Sequence, residues 1–409
     1  MDGRKLHFVG IAGAGMSGLA LIAQRLGAQV TGSDRATTGP YVERLRAAGI
    51  EPAVGHAAAN VPAGAEVVYS TAIGPENPER GTGAPELHRA AFLAELTRLK
   101  PAICVSGTHG KTTTTSMIVH ALRACGMDPA YAVGGEVRST GTNADWGDGP
   151  WFVVEADESD RSLLELHPAI AVVTNAELDH HTTYASLRDV LDTFRAFTAR
   201  AEHAIVPPEL ADAGEVYGPA DIELAIPGAH NQLNAGAALA ACRLAGADVA
   251  QAAASLRDFA GAGRRFERLG ETAAGAVVVD DYAHHPTEVA ATIAAARTHG
   301  PARIVAVFQP HLFSRTQAEA RGFGAALAAA DLPVVTGIYP ARERQEDFPG
   351  VTGLLIAEAA ADAGGGRDIV WLPSLDDAHA FLAGRLRPGD LVLTLGAGDI
   401  DSLGRRLVA

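Results

Sequence analysis

Short apolar runs alternate with stretches of helical periodicity along the whole chain. In the first hundred residues this pattern predicts strands at 6–9, 29–34 and 66–70, and helices at 19–26 and 86–99. Strands that alternate with helices are typical of a parallel sheet covered by helices on its faces. The first segment is therefore predicted to be an α/β domain.

The same alternation restarts twice further along the chain. Pro101 interrupts the first pattern. New strands are then predicted at 102–105, 151–154 and 169–175, with a helix at 116–122. After a Gly-rich segment at 259–267, the last strands are predicted at 276–280, 304–308, 332–336 and 390–394. We therefore predict three α/β domains, at residues 1–99, 100–262 and 263–409.

The composition is typical of a soluble globular protein and narrows the choice of partners. The 409 residues are 47% hydrophobic and 20% charged, with a net charge of −15. An acidic chain is a poor partner for nucleic acids and anionic membranes, so an anionic substrate must be held by local positive groups. Cys104, Cys125 and Cys242 are odd in number and widely spaced, which predicts a reducing compartment. With no signal-peptide pattern and no membrane-spanning apolar run, the sequence predicts a cytoplasmic protein.

The turn after the first strand carries spaced glycines. Gly13, Gly15 and Gly18 precede the second strand, which ends in Asp34. This spacing matches the fingerprint in which glycines let the backbone approach a pyrophosphate and an acidic residue about 20 positions on accepts from a ribose hydroxyl. The pattern indicates a nucleotide diphosphate without specifying which one. A glycine-rich turn without a ligand and a nicotinamide dehydrogenase both remain open at this point.

A second phosphate-binding pattern follows the strand at 102–105. Gly107 and Gly110 lie in a short turn that ends in Lys111 and Thr112, although Val105 replaces the first glycine of the common pattern. Backbone N–H groups of such a turn face phosphate oxygens, the lysine adds a positive charge, and the threonine hydroxyl reaches a magnesium ion. The chain has only three lysines among 33 basic residues. A lysine here favours a nucleoside triphosphate site over an ordinary strand–helix turn.

Polar groups follow two further strands of the same predicted sheet. Glu155 comes directly after the strand at 151–154, and His180 follows the strand at 169–175. Ligands of doubly wound sheets lie beyond the carboxyl ends of the strands, which favours a site over solvated loops. Glu155 is the better magnesium ligand because this ion prefers oxygen. His180, on its chemistry alone, is interpreted as an ordinary loop histidine.

Two later parts of the sequence contain further candidate ligand-binding residues, on weaker evidence. His230, Asn231 and Asn234 open an Ala-rich helix, where they either cap the helix or contact a base. In the last predicted domain, histidines cluster after two strand ends, within residues 280–286 and 309–316. This clustering favours a site lining over scattered surface residues.

Taken in order, these motifs resemble those of the Mur ligases. The matching segments are GIAGAGMSGLA, STAIGPENPE, GTHGKTTTT, VVEADESD, TNAELDHH, HNQLNA, GAGRRFE, DDYAHHPTE, VFQPHLFSRT and LGAGDI. The resemblance implies a Rossmann-like N-terminal domain that holds a UDP-sugar, a central P-loop-type domain that binds ATP, and a Rossmann-like C-terminal domain that admits an amino acid. The N-terminal fingerprint would then bind a UDP-sugar and not NAD.

Within this family, the sequence is similar to the members that add L-alanine to UDP-N-acetylmuramate. The implied reaction is ATP-dependent amide formation, the first peptide step of peptidoglycan precursor synthesis, with a place in cell wall biogenesis, cell shape and cell division. The lactyl carboxylate attacks the γ-phosphate to give ADP and an acyl phosphate, and the alanine amine then displaces phosphate. The resemblance implies ATP and Mg²⁺ as cofactors and a monomer or homodimer.

The resemblance also implies roles for individual residues. The ATP-binding residues are Gly107, Thr108, His109, Gly110, Lys111, Thr112, Thr113, His230, Asn231, Asn234, Arg265 and Asp281. The UDP-sugar-binding residues are Gly13, Ala14, Gly15, Met16, Ser17, Ser33, Asp34, Ser70, Thr71, Ala72 and Ser159. The amino-acid-binding residues are Tyr282, His284 and Arg315, with Arg315 pairing the alanine carboxylate. The metal ligands are Thr112, Glu155 and His180, and the catalytic residues are Lys111, Glu155, His180, His284 and Arg315.

The sequence departs from the family pattern in two places. Thr182 stands where relatives commonly carry an aspartate, and the stretch from 181 to 230 is short for the family. No lysine follows Lys111, so the carbamylated lysine of several Mur ligases is impossible, as in the alanine-adding members. The alternatives are a ligase that recycles murein tripeptide onto the same UDP-sugar and, more distantly, a nicotinamide oxidoreductase. A non-catalytic nucleotide sensor is a third alternative, which the predicted magnesium ligands argue against.

Overall fold

The computed structural model describes residues 1–35, 37–341 and 343–409. It contains three mainly parallel sheets whose strands alternate with helices, which confirms the predicted α/β fold class. The described chain forms two compact units: Met1–Glu223 with Leu233–Ala260, and Leu224–Gln232 with Gly261–Ala409. The first unit holds the first two sheets and the second unit holds the third.

The first sheet has five parallel strands in the order β3-β2-β1-β4-β5. The strands are β1 (Lys5–Val9), β2 (Gln29–Asp34), β3 (Ala53–Val54), β4 (Glu66–Tyr69) and β5 (Glu86–His88). The helices are α1 (Ala14–Arg25), α2 (Pro40–Ala47) and α3 (Arg89–Leu96). Because all five strands run the same way, the connections after β1, β2 and β4 meet at one edge of the sheet.

The second sheet has seven strands in the order β12-β11-β10-β6-β9-β7-β8, of which β7 and β8 pair antiparallel. The strands are β6 (Ala102–Ser106), β7 (Ala130–Val137), β8 (Thr142–Asp145), β9 (Phe152–Glu155), β10 (Pro168–Val173), β11 (His203–Val206) and β12 (Glu215–Val216). The helices of this part are α4 (Lys111–Ala124), α5 (Leu187–Thr198), α6 (Ala229–Leu244) and α7 (Val249–Ser255). The central strand β6 is buried along its whole length between β9 and β10.

The third sheet has six strands in the order β13-β14-β18-β15-β16-β17, with β13 antiparallel to β14. The strands are β13 (Glu267–Glu271), β14 (Val277–Asp281), β15 (Arg303–Phe308), β16 (Leu332–Val335), β17 (Val370–Trp371) and β18 (Asp390–Leu395). The helices are α8 (Pro286–Arg297), α9 (Phe313–Leu327), α10 (Leu354–Ala363), α11 (Leu375–Ala383) and α12 (Asp401–Val408). Apolar clusters cover both faces of this sheet, as expected for near-continuous apolar strands.

The first two sheets share one apolar core, whose buried residues come from the part of the sequence between Leu6 and Leu210. Helix α1 packs against the β7–β8 pair, where Asn143 Nδ2 donates to the carbonyl of Ala14 over 2.6 Å. Gly18 of α1 lies against Ala144, and an added Cβ there would come within 2.9 Å of the Ala144 methyl. The third glycine of the N-terminal fingerprint therefore serves close packing between α1 and the second sheet.

The predicted strands are present, and their ends lie within two residues of the predicted positions. The helix predicted at 86–99 is wrong at its start, because Glu86–His88 pairs with β4 as an edge strand and the helix begins only at Arg89. The helices predicted at 19–26 and 116–122 begin earlier, at Ala14 and Lys111. Both Gly-rich turns therefore lead directly into a helix N-terminus, as phosphate binding requires.

No helix in residues 1–35, 37–341 and 343–409 combines the length and the apolar character needed to cross a bilayer.

Candidate active site

The turn between β6 and α4 contains two glycines whose backbone conformation would allow a ligand to approach the main chain closely. Gly110 caps α4 with a φ of +79°, and Gly107 has a φ of +130°, values that favour glycine. An added Cβ on Gly110 would lie 2.5 Å from Oδ1 of Asn234, so Asn234 of α6 borders this turn; its contact with a nucleotide stays a prediction. His109 is fixed on the far side, since its N–H donates to Oδ1 of Asn175 over 2.9 Å.

Lys111, the first residue of α4, is held by the turn and by one buried carboxylate. Its Nζ donates to the carbonyls of Gly107 (2.7 Å) and Thr108 (3.1 Å) and lies 2.8 Å from Oε2 of Glu158. Burial opposes the charge, but nearby carboxylates, Glu158 foremost, outweigh it and raise the pKa of Lys111 above its ordinary value. The lysine is therefore a fixed cation at the carboxyl edge of the second sheet.

Thr112 and Glu155 meet on the other side of Lys111. The Thr112 hydroxyl lies 3.0 Å from each oxygen of the Glu155 carboxylate, and the N–H of Gly134 donates to Oε2 of Glu155 over 2.8 Å. Glu155 ends β9 and Thr112 lies in the first turn of α4. These two predicted metal ligands are thus brought together as a set of oxygen donors.

His180 reaches the same site through Glu158. Its Nε2 lies 3.3 Å from Oε1 of Glu158, whose other oxygen faces Lys111. The backbone of His180 has a φ of +52°, an uncommon value for a non-glycine residue and one that is found at functional sites more often than elsewhere. Lys111, Glu158 and His180 therefore form one connected group.

The predicted UDP-sugar-binding turn lies at the carboxyl edge of the first sheet. Gly13 precedes α1 in an extended conformation, and Ala14, Gly15, Met16 and Ser17 form the first turn of α1. Oδ2 of Asp34 accepts from the N–H of Ala12 over 2.9 Å, which ties this carboxylate to the turn; its contact with a ribose stays a prediction. Ser33, which the sequence predicts as a UDP-sugar-binding residue, is fully buried, so its side chain is not open to a ligand; its carbonyl instead accepts from the N–H groups of Gly10 and Ile11 in the turn.

The loop after β4 carries Ser70, Thr71 and Ala72 and contacts the second sheet. The Thr71 hydroxyl donates to Oδ2 of Asp160 over 3.0 Å, next to Ser159. In the same region Arg89 pairs with Asp157 at 2.8 Å. The structure therefore brings together, within one compact unit, the segments of the first and second sheets that the sequence predicts to bind the UDP-sugar, and Asp157 and Glu158 of the second segment lie near Lys111.

In the second unit, the three predicted amino-acid-binding residues are joined by a residue that the prediction omitted. The rings of Tyr282 and His284 lie 5.2 Å apart, and those of His284 and His311 lie 6.0 Å apart. Arg315 is buried on α9 with Nη1 3.4 Å from Nδ1 of His311. The ring of Tyr339 stacks on His311 at 5.9 Å. His311 was visible in the sequence as a strand-end histidine, whereas nothing in the local pattern marked Tyr339.

Arg264 and Arg265 have different surroundings. Arg264 donates to Asp280 (2.9 Å) and to the carbonyls of Gly396 and Gly398, so it is a structural anchor. Nη1 of Arg265 is 3.7 Å from Glu288. Both guanidinium groups lie over the ring of Tyr282, that of Arg264 at 5.2 Å and that of Arg265 at 5.1 Å, so the two arginines differ in their polar partners and not in this ring contact.

Asp281 and the start of α6 also belong to the second unit. Burial raises the pKa of Asp281 to about 6, against the lowering effect of Arg265, and its two oxygens accept from the N–H groups of Phe266 and Ala283 over 2.8 Å each. The amide of Asn231 donates to the carbonyl of Pro227 over 2.6 Å, and burial lowers the pKa of His230. Contact of His230, Asn231, Arg265 and Asp281 with ATP stays a prediction.

Comparison with known proteins places these motifs in one family. A model of the catalytic domain of the Mur ligase family matches residues 5–101, a model of the Mur ligase middle domain matches 105–213, and one of the Mur ligase glutamate ligase domain matches 264–398. A UDP-N-acetylmuramate–L-alanine ligase of Streptomyces coelicolor is 43% identical over 451 aligned residues, covering 98% of this chain and 96% of the relative. The chain belongs to the Mur ligase family. Membership of the Mur ligases argues against the nicotinamide oxidoreductase alternative.

Solved structures of Mur ligases agree with the fold described above. A UDP-N-acetylmuramate–alanine ligase of Thermotoga maritima superposes with a TM-score of 0.83 at 29% identity, covering 99% of this chain and 98% of that one. A murein peptide ligase of Psychrobacter arcticus has a TM-score of 0.74 at 23% identity over the same coverage, which is a likeness of fold. A UDP-N-acetylmuramate–alanine ligase and a murein peptide ligase therefore share this architecture, so the fold alone does not identify the amino-acid substrate.

Proposed function

We propose that this Mur ligase joins L-alanine to the lactyl carboxylate of UDP-N-acetylmuramate with hydrolysis of ATP to ADP and phosphate. The observation that carries the proposal is the site at the carboxyl edge of the second sheet. There a charged Lys111 at a helix N-terminus lies between the Thr112–Glu155 pair and the segment that carries Ser159. Full-length identity of 43% to an L-alanine ligase supports the choice of substrates.

The first chemical step transfers the γ-phosphoryl group of ATP. A carboxylate oxygen of the lactyl group forms a bond to γ-phosphorus while the bond to the β,γ-bridging oxygen breaks, giving ADP and an acyl phosphate. Such a transfer depends on positioning and on neutralising charge at the phosphoryl oxygens. The ammonium of Lys111 and the N–H groups at the start of α4 provide both at a fixed place.

The second step forms the amide. The uncharged amine of alanine attacks the acyl carbon, the C–O bond to phosphate breaks, and the amine proton leaves. Arg315 would pair with the alanine carboxylate, because a buried guanidinium binds a carboxylate through two parallel hydrogen bonds. His284, whose Nδ1 is 3.0 Å from the carbonyl of Tyr282, lies near enough to Arg315, through His311, to border the same amino acid.

Thr112 and Glu155 fit a magnesium ion by their chemistry, since both present oxygen and face one another at 3.0 Å. We propose them as ligands of one ion and His180 as a ligand of a second. Bound magnesium would neutralise charge on the phosphate oxygens. The backbone N–H of Gly134 orients Glu155 from behind, which keeps its carboxylate directed at Thr112.

Glu155→Gln should raise the magnesium concentration for half-maximal activity by about 10-fold or more, because an anionic ligand is replaced by a neutral one. The matched control is Glu202→Gln, an exposed glutamate in the same unit, which should leave the magnesium dependence unchanged. Steady-state rates against magnesium at saturating substrates make the comparison. An unchanged magnesium dependence in Glu155→Gln would remove Glu155 from the ligand set.

The amino-acid substrate is tested by measuring phosphate release with ATP, UDP-N-acetylmuramate and a panel of acceptors: L-alanine, L-serine, glycine and the murein tripeptide. We expect L-alanine to give the highest kcat/KM, with a product whose mass equals UDP-N-acetylmuramate plus alanine less water. Phosphate release with the tripeptide as acceptor, and with none of the three amino acids, would instead indicate the recycling reaction.

A further inference from the structure

A fully buried carboxylate lies beneath the predicted UDP-sugar-binding turn. Glu79, in the loop after β4, has no exposed surface. Its Oε2 accepts from the hydroxyl of Ser33 over 2.5 Å, and its Oε1 accepts from Nδ2 of Asn60 (2.6 Å) and from the N–H of Ala57 (3.1 Å). The donors come from β2 and from the segment after β3, so the Glu79 side chain links these two segments to its own loop after β4.

Two histidines complete this group. Nδ1 of His56 lies 3.3 Å and Nε2 of His7 lies 3.5 Å from Oε2 of Glu79, and Nδ1 of His7 is 2.9 Å from the Thr31 hydroxyl. Burial acts to raise the pKa of Glu79, but the hydrogen bonds from Ser33, Asn60 and Ala57 together with His7 hold that pKa below its ordinary value. We refer to His7, Ser33, His56, Asn60 and Glu79 as the Glu79 cluster.

The Glu79 cluster connects directly to the glycine-rich turn. The carbonyl of Ser33 accepts from the N–H groups of Gly10 (2.8 Å) and Ile11 (3.0 Å). The next residue, Asp34, accepts from the N–H of Ala12 through its carboxylate (2.9 Å) and from Gly55 through its carbonyl (2.7 Å). Ser33 is therefore bonded on one side to Glu79 and on the other to the start of the turn that precedes α1.

We propose that Glu79 is a positioning residue for the UDP-sugar: it fixes Ser33 and the segment after β3, and through them sets the geometry of the glycine-rich turn and of Asp34. The inference rests on the proposed function, because it assumes that this turn binds the UDP-sugar. Glu79 and Ser33 have no exposed surface, so neither side chain touches the ligand. A carboxylate suits this role because its two oxygens accept several donors at once, whereas a buried carboxylate without donors would be disfavoured.

The test measures the binding of two ligands to the full chain by calorimetry: UDP-N-acetylmuramate and a non-hydrolysable ATP analogue. For Glu79→Ala we expect the Kd for the UDP-sugar to rise by about 10-fold to 100-fold, since small displacements in a binding site have effects of this size. The Kd for the ATP analogue should stay within about 2-fold. Glu79→Gln keeps one acceptor oxygen for Asn60 and Ala57, so we expect a smaller rise than with alanine.

The control is Glu76→Ala, an exposed glutamate in the same loop, which should leave both affinities unchanged. Ser33→Ala removes the hydroxyl that joins β2 to Glu79 and to His56, and the same pair of binding measurements on this variant tests the inference if Glu79→Ala does not fold. If the Kd values for both ligands rose by the same factor, or if neither changed, the inference would be overturned, because Glu79 would then have no specific effect on the UDP-sugar site. If the wild-type chain itself bound no UDP-sugar, the proposed function would fail, and the inference with it.

Discussion

Lys111→Ala should lower kcat by about 1000-fold or more, because the removal of one preorganised donor at a developing charge already costs 100-fold to 1000-fold. The lysine ammonium is fixed by the carbonyls of Gly107 and Thr108 and by Glu158, so its loss removes a preorganised charge. Affinity for UDP-N-acetylmuramate should persist, because the glycine-rich turn lies on the first sheet. Phosphate release and calorimetric titration of the UDP-sugar measure the two quantities.

Lys5→Ala is the matched control for this substitution. Lys5 is exposed on β1 and contacts only the carbonyl of Ala63 at 3.4 Å among the contacts described for it, so its loss should leave kcat unchanged. Because Lys111→Ala also leaves the buried Glu158 without its cation, we expect a loss of stability of about 3 kcal/mol. Thermal unfolding shows whether the variant is folded under assay conditions. A folded Lys111→Ala variant with normal turnover would contradict the role of the turn.

Arg315→Ala should raise KM for L-alanine by about 10-fold to 100-fold, because a charged hydrogen bond contributes about 1.5–3 kcal/mol and each 1.4 kcal/mol is a factor of ten. Arg315 is 5% exposed and its guanidinium lies beside His311, so little water is available to replace it. KM for ATP should change by less than about 3-fold. Steady-state kinetics with each substrate varied in turn separate the two effects.

Arg321→Ala tests whether any arginine of α9 has this effect. Arg321 is exposed on the same helix, so KM for alanine should be unaffected by its loss. Equal increases in KM for alanine and for ATP in the Arg315→Ala variant would mean that Arg315 does not select the amino acid.

The sheets could be predicted from the sequence because their strands are buried on both faces. Every residue of β6 and β18 is buried, and each strand carries an uninterrupted apolar stretch, 102–105 and 391–393, which is typical of a central strand. The edge strand β5 could not be predicted, because Glu86–His88 is partly exposed and its polar composition does not distinguish a strand from the first turn of α3. Pairing with β4, a long-range contact, decides it.

The site residues that could be predicted from the sequence are those whose side-chain chemistry suits a ligand and which also stand at a strand end or a helix start. Lys111, Thr112 and Glu155 each follow a strand or open a helix, so sheet topology alone brings them together. Glu79 and Tyr339 lie in loops, and their importance comes from hydrogen bonds and ring contacts to residues far away in sequence. No local periodicity carries that information, which becomes visible only when burial and partners are known.

The step on which the proposed reaction depends is the transfer of the γ-phosphoryl group of ATP to the lactyl carboxylate of UDP-N-acetylmuramate, which precedes attack by the alanine amine. It is tested most directly with UDP-N-acetylmuramate labelled with ¹⁸O in that carboxylate, ATP and L-alanine, followed by mass analysis of the released phosphate. Because the acyl phosphate breaks at its carbonyl carbon, the account predicts one ¹⁸O atom in each molecule of inorganic phosphate. Phosphate without label, or label in AMP, would contradict it.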